Sequence, residues 1–233
     1  METLTAQILR TLRHALWLIV LVSVLLPMLD VLVGRGQTRV WTLVPYLLLV
    51  YTFHRIALFG RAAAWGRPAD AGPEVPRESF IRFLMVSLLF VVVALGAGLA
   101  AGLVVAPGGA QAMPMLPATM LGVAVLLAWP GLAIFGTLLP AAAAGQPLAP
   151  RRALAAARLT AATLAWQLPL LTGVSFALLL LLAQWAAPLI LPFGMSGPAT
   201  LLVEMLFTAL GFLPSLVTAV LLSRAYARGW PRD

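Results

Sequence analysis

The sequence predicts an all-α integral membrane protein: a bundle of about six transmembrane helices, both termini on the cytoplasmic side, with an amphipathic N-terminal helix. Three observations predict it. First, 62% of the 233 residues are hydrophobic and 9% are charged, against about 45–50% and about 25% in water-soluble domains. A soluble chain of this length has too little polar surface to cover so much apolar material, so lipid is part of its solvent. Second, six stretches are long and apolar enough to cross hydrocarbon: 15–33, 40–58, 80–105, 118–139, 167–191 and 199–222. Third, all fifteen basic residues are arginines, and they fall almost wholly between alternate stretches.

At the N-terminus, Leu4, Ile8, Leu12 and Leu16 recur every four residues, with Gln7, Arg10 and Arg13 elsewhere. This pattern predicts an interfacial helix leading into the first span. That span is longer than a signal-peptide core and no small-x-small site follows it, so an uncleaved signal-anchor is expected. The second span ends in FHRIALFG, which places His54 and Arg55 where both side chains can snorkel to the inner headgroups. The segment WGRPADAGPEVPRES at 65–79 is rich in Pro and Gly, and it reads as irregular until Pro76 opens the third helix.

The third span contains GAGLAAG, in which Gly98 and Gly102 are spaced for close helix approach beside Ala94, Ala97 and Ala101. Trp129, Pro130 and Gly131 in the fourth span, and Gly211 and Pro214 in the sixth, predict helix breaks near the bilayer midplane. Between the fourth and fifth spans, PLAPRRALAAARLTAATLAW puts Pro150 at a helix start. Arg151, Arg152 and Arg158 then lie near one face, which suits anionic lipid headgroups.

Alternating sides from the N-terminus gathers Arg10, Arg13, Arg55, Arg61, Arg67, Arg77, Arg82, Arg151, Arg152, Arg158, Arg224, Arg228 and Arg232 on one side. Only Arg35 and Arg39 fall on the other, which makes the first side cytoplasmic. Trp17, Trp41, Trp65, Trp166, Trp185 and Trp230 all fall near expected interfaces, and Trp129 alone lies near a span's middle.

Two segments align at an offset of 169: TLVPYLLLVYTFHRIALFG (42–60) and GFLPSLVTAVLLSRAYARG (211–229), sharing Pro45/Pro214, Arg55/Arg224 and Gly60/Gly229. Both run from outside to inside. Repeated hairpins produce such a match, and so do shared membrane constraints.

Chemistry has little material to work with. There are no cysteines, two histidines (His14 and His54) and no lysine. Thiolate nucleophiles, iron–sulfur clusters, cysteine-ligated zinc and a Ser–Lys dyad are therefore excluded. No GxxxxGK[ST], HExxH or GxSxG motif occurs, and no catalytic, metal or cofactor site is expected. A net charge of +8 raises nucleic acid as a partner, but the arginines sit between hydrophobic runs rather than on one basic face.

Glu204 is the clearest candidate for function, about five residues into the sixth span. It can bind a cation, relay protons or pair with Arg35 or Arg39, and Asp30 near the outer end of the first span has the same options. The ion-pair reading is the expected one. A proton-coupled His54 and a substrate cavity at the Trp129–Gly131 and Pro214 breaks are weighed against plain structural roles.

The stretches HRIALFG (54–60) and LLPAAAAGQPLAPRRALAAARLT (138–160) carry a resemblance. On them the chain resembles uncharacterised six-helix bacterial inner-membrane proteins, related at a distance to the membrane domain of some glycerophosphodiester phosphodiesterases. Where related chains often have an acidic residue after the first motif's glycine, this one has Arg61, which puts in doubt an ion pair expected there. The resemblance implies fold and an inner-membrane location, and it transfers no catalytic residue. The expected function is a non-enzymatic accessory, scaffold or lipid-organising protein. Its partners are the bilayer, with anionic headgroups at its inner face, and a further membrane protein. The alternative is a small permease with its path along the helix breaks.

Overall fold

A computed structural model describes residues 3–33, 43–60, 78–105, 126, 128–190 and 198–230. Among the described residues every regular element is a helix. In chain order they are α1 (Leu4–Val33), α2 (Leu43–Phe59), α3 (Glu78–Val105), α4 (residues 128–135), α5 (Leu138–Ala143), α6 (Pro150–Ile190), α7 (Pro198–Gly211) and α8 (Leu213–Gly229). Among the described residues, four stretches are long and apolar enough to cross a membrane: Leu4–Leu29, Glu78–Ala100, Pro150–Leu182 and Leu201–Gly229. Leu43–Phe59 is a shorter apolar helix. Residues 118–125 of the expected fourth span lie outside the described residues, as do Arg35, Arg39, Arg61 and the 65–77 stretch.

Apolar side chains cover the outside of these helices. On α6, Phe176, Leu178, Leu180, Leu181 and Leu182 are all exposed, and at 100° per residue they are spread round the helix. On α3, Leu88, Leu89, Val92, Val93 and Leu95 are exposed along one broad face of about 160°. Surfaces of this kind have no place in water, so the helices belong to a membrane-embedded protein.

The chain forms two compact units. The first comprises Met1–Val75 and Gln167–Arg224; the second comprises Pro76–Trp166 and Ala225–Asp233. In the first, α1 packs against α2 and α7. Its core is built from Ala15, Leu18, Ile19 and Val22 of α1, Leu49, Phe53, Ile56 and Ala57 of α2, and Leu216, Ala219 and Val220 of α8, with Phe212 beside them.

The N-terminal stripe behaves differently from expectation. Leu4, Ile8 and Leu12 pack against this protein core, whereas Leu16 is exposed. Strict four-residue spacing drifts by about 40° per step on a 3.6-residue helix, so the buried line passes from Ile8 to Thr11, Ala15, Leu18 and Val22 instead. The expected interfacial segment and first span are therefore one 30-residue helix with a protein-facing stripe.

In the second unit α3 packs on α5, and Phe83 and Val86 are buried with Leu138–Ala143 and with Ala153, Ala156 and Ala157 of α6. Helix α5 ends in a Schellman turn: Gln146 N–H donates to Ala141 O at 2.9 Å and Gly145 N–H donates to Ala142 O at 3.0 Å. Gly145 sits there at φ 76°, where a side chain is strained. Pro150 opens α6, as its fixed φ favours at a first helical position. The expected connector and fifth span merge into this one helix of 41 residues.

Ahead of the break expected at Trp129–Gly131, residues 118–125 and 127 lie outside the described residues. Residues 128–135 are helical through Trp129, Pro130 and Gly131, and the turn falls at Gly136 and Thr137. Pro140 causes it: a proline at 140 cannot donate to the carbonyl of Gly136, which accepts from Leu139 at 3.1 Å instead. The sixth-span break lies where expected, between Gly211 and Leu213, with Phe212 in a turn ahead of Pro214. In both places a glycine precedes the proline by three or four residues. At Pro130 the glycine follows, and residues 128–135 are helical.

Candidate functional site

The described polar groups of the first unit concentrate along the seam between α2 and α8. Tyr46 Oη and Ser215 Oγ lie 2.5 Å apart, and His54 Nδ1 lies 3.2 Å from Ser223 Oγ. Both pairs are separated by 169 residues. Two contacts at one constant offset, eight residues apart on each helix, require the helices to run parallel and in register, because antiparallel helices keep the sum of positions constant instead. The offset seen in the sequence is thus a packing register. Ser223 and Ser215 escaped the sequence reading, although both stand in columns of the 42–60/211–229 alignment, opposite His54 and Tyr46.

His54 and Ser223 are each 1% exposed. A serine hydroxyl against an imidazole nitrogen is the pairing from which nucleophilic catalysis is built. Here apolar packing encloses it, with Phe53, Ile56, Val220 and Leu222 buried around the same two helix turns. The pair satisfies two buried polar groups and locks the helix register.

Arg55 follows His54, and Arg224 follows Ser223. The Arg55 guanidinium lies over the Tyr51 ring at 5.8 Å, a cation–π distance. Its Nε is buried with no hydrogen-bond partner among the described residues. On α1, Gln7 Nε2 donates to the carbonyl of Ala57 at 3.1 Å. The start of α1 therefore stands beside the end of α2, and Arg10, one turn on, is level with Arg55 within a few ångströms. Arg10, Arg55 and Arg224, each half-buried, thus stand at one level on three helices as a basic girdle, Arg55 and Arg224 following seam residues and Arg10 following exposed Leu9.

At the break, Tyr46 stacks on Phe212 with ring centroids 5.8 Å apart. The space opened by the turn is filled by an aromatic pair and bridged by the Tyr46–Ser215 hydrogen bond.

Glu204 is half-buried on α7, and its backbone carbonyl accepts from Thr208 Oγ1 at 2.7 Å. Nineteen residues of α7 and α8 separate it from Ser223, so it shares no site with His54. Asp30 lies in the last turn of α1, and its side chain is outside the described residues. Trp129, Pro130 and Gly131 belong to the second unit and Pro214 to the first. Among the described residues no three His, Asp or Glu side chains gather as a metal site.

In the second unit Arg151 and Arg158 are exposed on α6 and Arg152 is half-buried. Arg82 donates to Glu78 Oε2 at 2.7 Å and to the Gly145 carbonyl at 3.4 Å, holding α3 against the α5 terminus. Gly229 of α8 meets Ala156 of α6 so closely that an added Cβ would lie 3.0 Å from the Ala156 carbonyl oxygen.

No protein-family model matches the chain, and no curated protein and no solved structure matches it significantly.

Proposed function

We propose that the protein is a non-enzymatic, multi-pass membrane scaffold that organises anionic lipid and acts as an accessory to another membrane protein. In this reading it crosses a bacterial inner membrane six times, with both termini on the arginine-rich cytoplasmic face. The observation that carries the scaffold reading is the α2–α8 seam. Two hydrogen bonds fix the register of parallel helices, the core between them and α1 is filled by Leu, Ile, Phe and Ala side chains, and the helix break is plugged by Tyr46 on Phe212. A permease needs its mid-depth break to open onto a polar path, and this break is occupied by aromatic and aliphatic side chains. The basic girdle of Arg10, Arg55 and Arg224 supports placing that end of the unit among headgroups.

The test is in-membrane cross-linking of the tagged full chain, followed by purification in mild detergent. One membrane-protein partner recovered at constant stoichiometry is expected. Recovery of the chain alone after efficient cross-linking defeats the accessory role. Solute uptake by the purified chain in liposomes, lost on substitution at Tyr46 or Phe212, would replace the scaffold with a permease.

A further inference from the structure

Helix α6 carries its own depth scale. Trp166 and Trp185 are exposed, at 56% and 79%, and nineteen residues apart. That is about 28 Å of helix, against a hydrocarbon core of about 30 Å. Tryptophans favour the two interfaces, so in the membrane reading above this pair marks the two edges of the hydrocarbon on α6. The headgroup layer beyond each edge is about 5–8 Å thick. Leu154 lies about 18 Å before Trp166 along the axis, and Arg151 about 22 Å. A tilt of about 20°, the average for spanning helices, still leaves Leu154 about 17 Å out. The first turns of α6 therefore stand past the headgroups, in water.

Those turns are two-faced. Ala153, Ala156, Ala157, Thr160 and Leu164 are buried. On the opposite side Arg151, Ala155, Arg158, Ala162 and Ala165 are exposed, within an arc of about 80°. They follow one another at intervals of four, three, four and three residues, the spacing by which one helix seats along another. The alanines let a second backbone come close. Leu154 and Leu159, 45% and 74% exposed, flank this seam on either side. Leucines so exposed in water, beside a seam of helix-packing spacing, mark an interaction surface.

Charge decides what covers it. Helix α6 contains no acidic residue, and the ion pair among the described residues joins Arg82 to Glu78 on α3. Arg151 also stands in the first turn of α6, where the helix dipole opposes a cation. A second copy of the chain presenting this seam would set arginine against arginine, and a bilayer does not reach it. We infer that the exposed face of α6 from Arg151 to Trp166 is the docking surface for an acidic helix of the partner protein. Carboxylates on that helix meet Arg151 and Arg158, and its apolar side chains meet Leu154 and Leu159. The inference rests on the accessory reading above and names the surface and the partner's chemistry.

The experiment places photoactivatable benzoylphenylalanine at Ala155 or at Leu159 of the full chain and irradiates native membranes. The expected adduct is with one other protein. Sequencing of the cross-linked peptide is expected to find Asp or Glu at helical intervals, on every third, fourth or seventh residue. Arg151→Glu with Arg158→Glu is expected to reduce the adduct by about tenfold or more, since like charges then face one another. Changing the identified acids of the partner to lysine is expected to restore it, which a variant that merely failed to fold could not show. An adduct with lipid alone, with a second copy of this chain or with a segment lacking acidic residues overturns the docking surface. So does an adduct that survives the double reversal, one that the lysine partner does not restore, or no adduct at all. A partner recovered in the general cross-linking above, with none captured at Ala155 or Leu159, leaves the accessory reading standing and removes only this surface.

Discussion

At the residue scale, the two glycines aligned by the offset have different duties. Gly60 ends α2 at φ 70°, with nothing within 4 Å of an added Cβ. Gly60→Ala is therefore expected to destabilise by about 1–2 kcal/mol through backbone conformation alone. Gly229 has an ordinary φ, and an added Cβ would press on Ala156 backbone atoms at 3.0 and 3.1 Å. Gly229→Ala is expected to cost about 1–3 kcal/mol through overpacking, and Gly229→Val more. Gly96→Ala, in open space inside α3, is the comparison without steric cost and is expected to stabilise by up to about 1 kcal/mol. Thermal unfolding in one detergent ranks all four, and a Gly229→Val variant as stable as the parent would contradict the close crossing. The sequence made both glycines visible as one alignment column. It hid their difference, because a close approach depends on a partner helix 73 residues away in the chain.

The same limit applies to His54. Its position at the end of a span was legible, but its partner was not, since Ser223 is an ordinary serine until packing sets it opposite an imidazole. Ser223→Ala removes one acceptor or donor from a buried ring and is expected to destabilise by about 1 kcal/mol, near the size of hydrogen bonds measured between membrane helices. A loss above about 4 kcal/mol, or none at all, would show that the pair has another role than register.

At the scale of elements, register is the property to test. Inserting one alanine after Val50 rotates His54 by about 100° relative to Tyr46, so α2 can keep one hydrogen bond with α8 and not both. Stability is expected to fall by several kcal/mol, because Phe53 and Ile56 leave the core together with His54. A matching alanine after Ala219 lengthens the interval between Ser215 and Ser223 by the same residue and restores both pairings. Unfolding of the single and double insertions measures this, and a double insertion no better than the worse single one refutes parallel, in-register packing. Helix breaks show what sequence can and cannot offer here. Pro214 and Gly211 are readable as a break, and the turn lies there; around Pro130, residues 128–135 are helical, while 118–125 and 127 lie outside the described residues. Pro27 likewise sits inside α1 without interrupting it. A proline removes one donor, and at Pro140 the freed carbonyl of Gly136 turns to Leu139 instead.

At the scale of the molecule, hydropathy located most helices correctly, because apolar length is a local property. It could not divide them between lipid and protein: α1 and α6 are both apolar, yet α1 buries a stripe against α2 and α8 while α6 is exposed over its later turns. The parallel seam constrains the path of the chain further. Two parallel helices of one chain, each crossing a bilayer, require an odd number of crossings between them. In the proposed six-crossing path, helix α3, the expected fourth span and the apolar half of α6 would supply three. With α1 before α2 that proposed path totals six, and it would place Thr3 and Gln146 on one face and Gln37 and Ser196 on the other. The absence of cysteine makes this directly measurable, since each introduced thiol is unique. A membrane-impermeant maleimide applied to sealed, right-side-out vesicles is expected to label Gln37→Cys and Ser196→Cys before lysis, and Thr3→Cys and Gln146→Cys only after it. Labelling of Gln37→Cys and Gln146→Cys from the same side would break the six-crossing path. It would leave the α2–α8 register standing, because two hydrogen bonds at one offset do not depend on how the rest of the chain crosses.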